Sequence, residues 1–176
     1  MPQAAERAVA LVRAAQHGDA MALADLLELL APYVSRLCGP IALQDGPDAA
    51  QEALIIVFRD IRQLREPRAL YGWVRTIAVR EAVRAARRAR TGSIGGLPPA
   101  AAGMLDQVPE PGDPLLAVDV RDVLARLSPE HRAVLTLREL EGLDEKAVSE
   151  MLAVREGTVK SRLHRARRSF AKAWQQ

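Results

Sequence analysis

Between residues 92 and 114 the chain changes character, because Gly92, Gly95, Gly96, Pro98, Pro99, Gly103, Pro109, Pro111, Gly112 and Pro114 crowd into one stretch. A segment so poor in large apolar side chains cannot bury enough surface to offset its ordering entropy. It is also longer than an ordinary connection inside a compact domain. The pattern predicts two units, residues 1–90 and 115–176, joined by a flexible tether over 91–114. A unit of about 60 residues buries only about 60% of its unfolded surface, so each is expected to be steadied by its partners.

Both units read as helix. Hydrophobic residues make up 49% of the chain and aromatic residues 3%, and apolar positions recur at three- and four-residue steps rather than alternating. Leu23, Leu26, Leu27, Leu30, Val34 and Leu37 form one such stripe. Asp45-Gly46-Pro47-Asp48 interrupts the pattern, and a new helix is expected to run to about Leu64. Glu66-Pro67-Arg68 is a second interruption, since Pro67 restricts its predecessor and cannot extend a helix. A long helix follows, from about Tyr71 to Arg90. After the tether, helix resumes over 115–126. Ser128 then serves as N-cap, with Pro129 at the first helical position. That helix is expected to end near Gly142, Asp144 to cap a short helix through Leu152, and Ala153-Val154-Arg155 to turn into a final helix from Glu156 or Gly157. Helix, short turn, helix is the outline of a helix-turn-helix. The fold class is all-α, in two small helical domains.

The net charge of +3 conceals two arginine-rich clusters, residues 80–90 and 160–168. Solvated charged faces would explain either one alone; two together suggest a polyanion contacted twice. Cys38 is the only cysteine, which rules out an internal disulfide or a Cys-based zinc site. It falls in an apolar helical pattern, as a buried small hydrophobe would. His17, His131 and His164 lack metal-ligand spacing. No signal peptide and no apolar run near the roughly 18 residues of a membrane span is read, so no membrane insertion and a cytoplasmic location are expected. Gly92–Gly96 lacks the Lys-Ser/Thr of a phosphate-binding loop. No catalytic residue, cofactor or metal ligand is expected.

On the final helix Val159, Leu163, Ala166 and Phe170 share one side, and Lys160, Ser161, His164, Arg165 and Arg168 the other. A helix that docks by an apolar face and presents cations and small polar groups suits a major groove about 12 Å wide. The run Glu156-Gly157-Thr158-Val159-Lys160-Ser161-Arg162-Leu163-His164-Arg165-Ala166-Arg167 resembles the recognition helix of the extracytoplasmic-function (ECF) group of the sigma-70 family. Leu127-Ser128-Pro129-Glu130-His131-Arg132 is similar to the start of that family's fourth region. The resemblance implies a unit that binds the promoter minus-thirty-five element. Lys160, Ser161 and Arg165 sit at positions for base and phosphate contacts, His164 lies beside them, and Arg162 and Arg168 are expected on phosphates.

In the first unit, Ala50, Ala53, Leu54, Val57 and Ile61 form an apolar stripe with Phe58 at its border. Asp48, Gln51, Glu52, Ile55 and Arg59 lie opposite. An apolar residue among polar ones can anchor a protein-docking face. Asp48-Ala49-Ala50-Gln51-Glu52-Ala53 is similar to a signature of the sigma second region, which grips the β′ clamp helices of core RNA polymerase. Asp48, Gln51 and Glu52 are carried across from that signature; Ile55 and Arg59 are added from helix geometry. Tyr71-Gly72-Trp73-Val74-Arg75-Thr76-Ile77-Ala78 is similar to the motif leading into the family's minus-ten helix. Trp73 is then either core or a stacking platform for a base. Arg80, Arg84 and Arg87 share a face suited to a phosphate backbone, and the Arg65–Arg68 loop corresponds to the one that captures a flipped base. Arg80 and Arg84 stand where Asn and Asp are common in the family, Leu54 where an aromatic residue is, and Phe58 where a Trp is frequent. No known minus-ten preference therefore transfers.

The reading is an initiation factor that binds core polymerase through the β′ clamp helices and the β flap, engages promoter DNA, and is held inactive by an anti-sigma factor. A conventional helix-turn-helix regulator would bind duplex without core, usually as a symmetric dimer. Neither a dimerisation helix nor a ligand domain is visible for that. A nucleic-acid enzyme would need a metal or acid–base set.

Overall fold

The structure is a computed structural model and describes residues 2–92 and 114–174; among these it is helical, with no strand. The tether expected over 91–114 lies almost wholly outside the described residues. In the first unit α1 (Pro2–Gln16) and α2 (Ala20–Ala42) meet at Gly18, whose φ of +96° suits glycine, and Asp19 caps α2 by accepting from the backbone N–H of Met21 and Ala22 at 2.9 and 3.0 Å. The predicted stripe of α2 is realised in Leu26, Leu30, Val34 and Leu37, which are fully buried with Cys38 and Ile41; Leu23 and Leu27 are partly so. After a 3₁₀ turn, α3 (Gly46–Asp60) starts against α2. A Cβ at Gly46 would fall 3.0 Å from the Cα of Gly39, so the two helices touch there by backbone. A second pair of 3₁₀ turns leads through Pro67 into α4 (Leu70–Gly92). Helices α2, α3 and α4 pack on one another, and α1 lies on α2.

Cys38 is buried as expected. Burial, with the Glu81 carboxylate as a smaller cause, pushes its thiol up to about 12, which keeps it protonated. One expectation needs correction: the stretch 20–63 is long and apolar enough, by length and composition, to resemble a membrane span. The apolar residues of α2 are nonetheless the ones that α1, α3 and α4 cover.

The second unit holds α5 (Pro114–Ala125), α6 (Pro129–Leu135), α7 (Glu145–Leu152) and α8 (Glu156–Trp174). Ser128 accepts from the His131 N–H at 3.3 Å and Asp144 from the Ala147 N–H at 2.7 Å, so both predicted caps are in place. Helix α6 continues as a π-helical turn, Thr136–Leu140, in which the Glu141 N–H reaches Thr136 O at 3.2 Å; Gly142 then closes it with φ +63°. Ala153 ends α7 in the left-handed region, φ 52°, and the Val154 N–H donates to Ser149 O at 3.0 Å. That turn sets α8 against α6 and α7, completing the helix-turn-helix.

The sequence reading placed the two units at an adjustable distance. In the structure they pack together, α6 against α2 and α4, and α7 against α4. Ala133, Val134, Leu137, Val148 and Val159 belong to the same apolar core as Leu37, Ile41 and Val79.

Candidate polymerase and nucleic-acid interfaces

Helix α3 has two faces because its apolar residues recur three and four apart. Ala50, Ala53, Val57 and Ile61 are buried, and Leu54 is partly so. Asp48, Gln51, Glu52, Ile55 and Arg59 are all exposed, so the residues proposed for core binding do share one surface. Ile55 is 49% exposed and Phe58 56%. Phe58, expected at the border of the buried stripe, instead joins Ile55 outside. Two large apolar side chains beside an acidic first turn make a mixed surface typical of protein contacts. Arg59 turns along its own helix to Asp60, at 2.9 Å.

Ahead of α4 the loop is held by Glu66, whose carboxylate accepts from the Arg68 N–H at 3.1 Å. Arg65 and Arg68 are exposed. Arg68, Pro67 and Tyr71 line an open groove of about 610 Å³ whose other wall is Val9 and Arg13 of α1. Trp73 is half-buried and packs on the core. Arg80, Arg84 and Arg87 are exposed on α4, but two of them are already paired. Arg84 lies 3.5 Å from Glu81 in its own helix, and Arg87 lies 2.7 Å from Glu130 of α6. The expectation of unneutralised arginines is corrected for these two.

On α8, Val159, Leu163 and Ala166 are buried and Phe170 half-buried, while Lys160, His164, Arg165 and Arg168 are exposed. Lys160 is 3.5 Å from Glu145 at the start of α7. Ser161 Oγ donates to Thr158 O at 3.0 Å, which leaves its lone pairs for a donor on a ligand. Arg162 departs from expectation. It is half-buried and lines a cleft of about 190 Å³ shared with Arg80, Arg87, Glu130 and Val154, facing the first unit. Phe170 stacks on Trp174 with centroids 6.1 Å apart.

Sequence reasoning missed the residues that join the units. Arg132 is 5% exposed; its Nε donates to Ile41 O at 2.7 Å and its Nη1 to Leu127 O at 3.1 Å and Leu124 O at 3.4 Å. It thus supplies donors to the carboxyl ends of α2 and α5, where carbonyls lack helical partners. Burial lowers its pKa, with Arg90 adding to the effect. The Glu141 carboxylate, 5% exposed, lies 2.9 Å from both Arg36 and Arg75 and accepts from the Tyr33 hydroxyl at 2.9 Å. Burial is the main cause that raises the Tyr33 pKa to about 12. No periodicity marks these positions, since Glu141 meets Tyr33 and Arg36 across 108 and 105 residues and Arg132 meets Ile41 across 91.

Residues 24–91 match the family described as Sigma-70 region 2, and residues 117–170 that described as Sigma-70, region 4. The ECF RNA polymerase sigma-E factor of Escherichia coli K12 is 30% identical over 175 residues, covering 91% of this chain and 90% of that one. Two solved structures share the fold. CnrH in complex with the cytosolic domain of CnrY has a TM-score of 0.62 at 17% identity, over 94% of this chain and 96% of that one. The sigma factor RpoE in complex with the anti-sigma factor NepR, from Bartonella quintana, has a TM-score of 0.59 at 20% identity, over 85% and 94%.

Proposed function

Because this chain belongs to the ECF RNA polymerase sigma factors, and so is a transcription initiation factor of the sigma-70 family, we propose that its α3 face docks on the β′ clamp helices of core polymerase. The carrying observation is the exposure of Ile55 and Phe58 beside Asp48, Gln51 and Glu52. Apolar anchors rimmed by carboxylates suit a basic helical partner. Arg65, Arg68, Trp73, Arg80, Arg84 and Arg87 engage the minus-ten element, with the groove beside Arg68 and Tyr71 next to the strand that opens. Lys160, Ser161, His164, Arg165 and Arg168 read the minus-thirty-five element, Arg162 joins them on phosphate, and the second unit also meets the β flap. The domain limits follow the same division: residues 1–90 for core and minus-ten binding, 115–176 for minus-thirty-five. The work is binding, carried out in the cytoplasm and without covalent chemistry. An anti-sigma partner is proposed by analogy with RpoE of Bartonella quintana, solved with NepR.

Glu52→Arg tests the docking face. Exposed on α3, it should leave the melting curve unchanged and weaken core binding at least tenfold in competition against an unmodified factor. Unchanged core affinity would refute the assignment.

A further inference from the structure

None of the residues proposed for core or DNA lies on α1, yet α1 packs against both 3₁₀ turns that flank the Arg65–Arg68 loop. Ala8, Val12 and Ala15 recur at helical spacing and bury one face of it. Its last residue, Gln16, is half-buried and turns its amide toward the loop. Gln16 Nε2 donates to Ile61 O at 3.0 Å and to Leu64 O at 2.7 Å. Ile61 opens the 3₁₀ turn Ile61–Gln63, and Leu64 is where the chain leaves it in an extended conformation, ψ 101°. Carbonyls at a helix end lack helical partners, and one side-chain NH₂ carries two donors, so a single residue serves both. At the far end of the loop the Glu66 carboxylate accepts from the Arg68 N–H at 3.1 Å, and Glu66 O accepts from the Ala69 N–H at 2.9 Å. Leu64 and Leu70 are buried on either side, and Arg65, exposed, lies between the two fastenings.

We infer that Gln16 is a positioning residue for promoter opening: it fixes the entry to the Arg65–Arg68 loop, so that the loop meets an unstacked base already in its holding shape. The inference rests on the assignment of that loop to the minus-ten element. Taking a base out of the duplex stack is costly, and a loop that had to order at the same moment would add its own entropy to that cost. Two hydrogen bonds from a helix seated on the core remove that part in advance. The effect falls on opening rather than on docking, because Gln16 lies on neither the outer face of α3 nor α8. Reach matters as well as chemistry: an asparagine amide stops one methylene short of both carbonyls.

The test uses the full chain and its holoenzyme with core, as wild type, Gln16→Met, Gln16→Lys and Gln63→Met. Methionine keeps an unbranched stem without donors, and lysine brings donors back on a flexible one. Gln63→Met is the control, since that amide reaches the Asp60 carboxylate at the surface, at 3.3 Å. The template is a duplex selected by transcription from a promoter library, remade with each non-template base of its minus-ten element replaced in turn by an abasic site. In the free chain, hydrogen exchange of the backbone amides over 64–69 should quicken severalfold in Gln16→Met and stay at the wild-type rate in the control. With core, Gln16→Met should keep closed-complex affinity within about twofold and open the duplex about tenfold more slowly, read by permanganate attack on unpaired thymines. At one abasic position the wild type should slow too, and there Gln16→Met should lose nothing further. Gln16→Lys should recover most of the rate. If Gln16→Met melts below the assay temperature, Gln16→Asn takes its place with the same outcomes. Unchanged exchange, an equal loss on every template, or no recovery by lysine would each overturn the positioning role. Raised exchange with a wild type indifferent to every abasic position would overturn the assignment of the loop and leave the hold of Gln16 on it supported.

Discussion

Arg132 should be the residue on which cohesion of the two units depends most, and Arg132→Met isolates its polar contribution. Methionine keeps an unbranched apolar stem of similar reach, so packing is largely conserved. What disappears are donors to Ile41 O at 2.7 Å and Leu127 O at 3.1 Å, with a third contact to Leu124 O at 3.4 Å near the geometric limit. Hydrogen bonds from a charged donor contribute about 1.5–3 kcal/mol each, a loss that includes the cost of the buried carbonyl left without a partner. Against this, the variant no longer desolvates a guanidinium, which costs several kcal/mol in a protein interior. Two good bonds, offset in part by one burial penalty, leave a net loss of about 2–4 kcal/mol. For a chain of this size each kcal/mol moves Tm by about 2–4 °C, so the melting point should fall roughly 4–16 °C. Circular dichroism melts with urea titration measure both quantities. Arg132→Lys, a point charge without the fork, should recover only part of the loss. If Arg132→Met melts within about 1 °C of wild type, the inter-unit bonds carry no net stability and the reasoning fails.

Acid should loosen the same region. Burial pushes the Glu130 carboxyl up, but its own backbone N–H, Arg87 and Ser128 outweigh that and hold it below its usual range; burial, then Arg165 and Arg162, lowers His131 against the opposing effect of Glu130. Both groups have folded pKa values below their unfolded ones, so the unfolded chain binds more protons and stability rises with pH. The His131 part is complete above about pH 6.5 and is lost on acidification below it; the Glu130 part persists to about pH 4.3 and then goes. Urea midpoints should fall from pH 7.5 to pH 5, and His131→Gln should flatten that interval; a midpoint that rises on acidification contradicts the signs. Ala153→Gly relieves a left-handed alanine at the helix-turn-helix corner and should stabilise the chain by about 0.5–1 kcal/mol in urea titration. Lys160→Ala should weaken holoenzyme binding to promoters and lower the slope of log affinity against log salt by about 1 if Lys160 meets phosphate, whereas relaxed preference at one base would show that it reads sequence.

Much of the fold was legible because helices announce themselves locally. Asp19 went unread, but Ser128, Asp144 and the Ala153 turn were read directly, since a cap and its N–H lie within three residues of each other. The stripe of α2 was readable for the same reason, and so was the exposed stripe of α3. Phe58 lies outside because a residue at the edge of a stripe is buried or not according to which neighbour reaches it, and Phe58 stays 56% exposed.

The contact between the two units was illegible for a physical reason that applies to any two-unit chain. Arg36, Arg75, Arg87 and Arg132 look alike in sequence, as cations on helices, and only the partner distinguishes a solvated charge from a fastener. Glu141 meets Tyr33 across 108 positions and Arg132 meets Ile41 across 91, so no window of sequence contains both sides. The arginine cluster over 80–90 was therefore read as waiting for phosphate, although Glu130 already neutralises Arg87. A carboxylate and a phosphate both offer a guanidinium anionic acceptor oxygens, and Arg87 turns both its Nε and Nη2 to one of them, Glu130 Oε1, at 2.8 and 2.7 Å. If the α4 face meets DNA as proposed, competition between Glu130 and a phosphate for Arg87 follows from the chemistry of that one side chain.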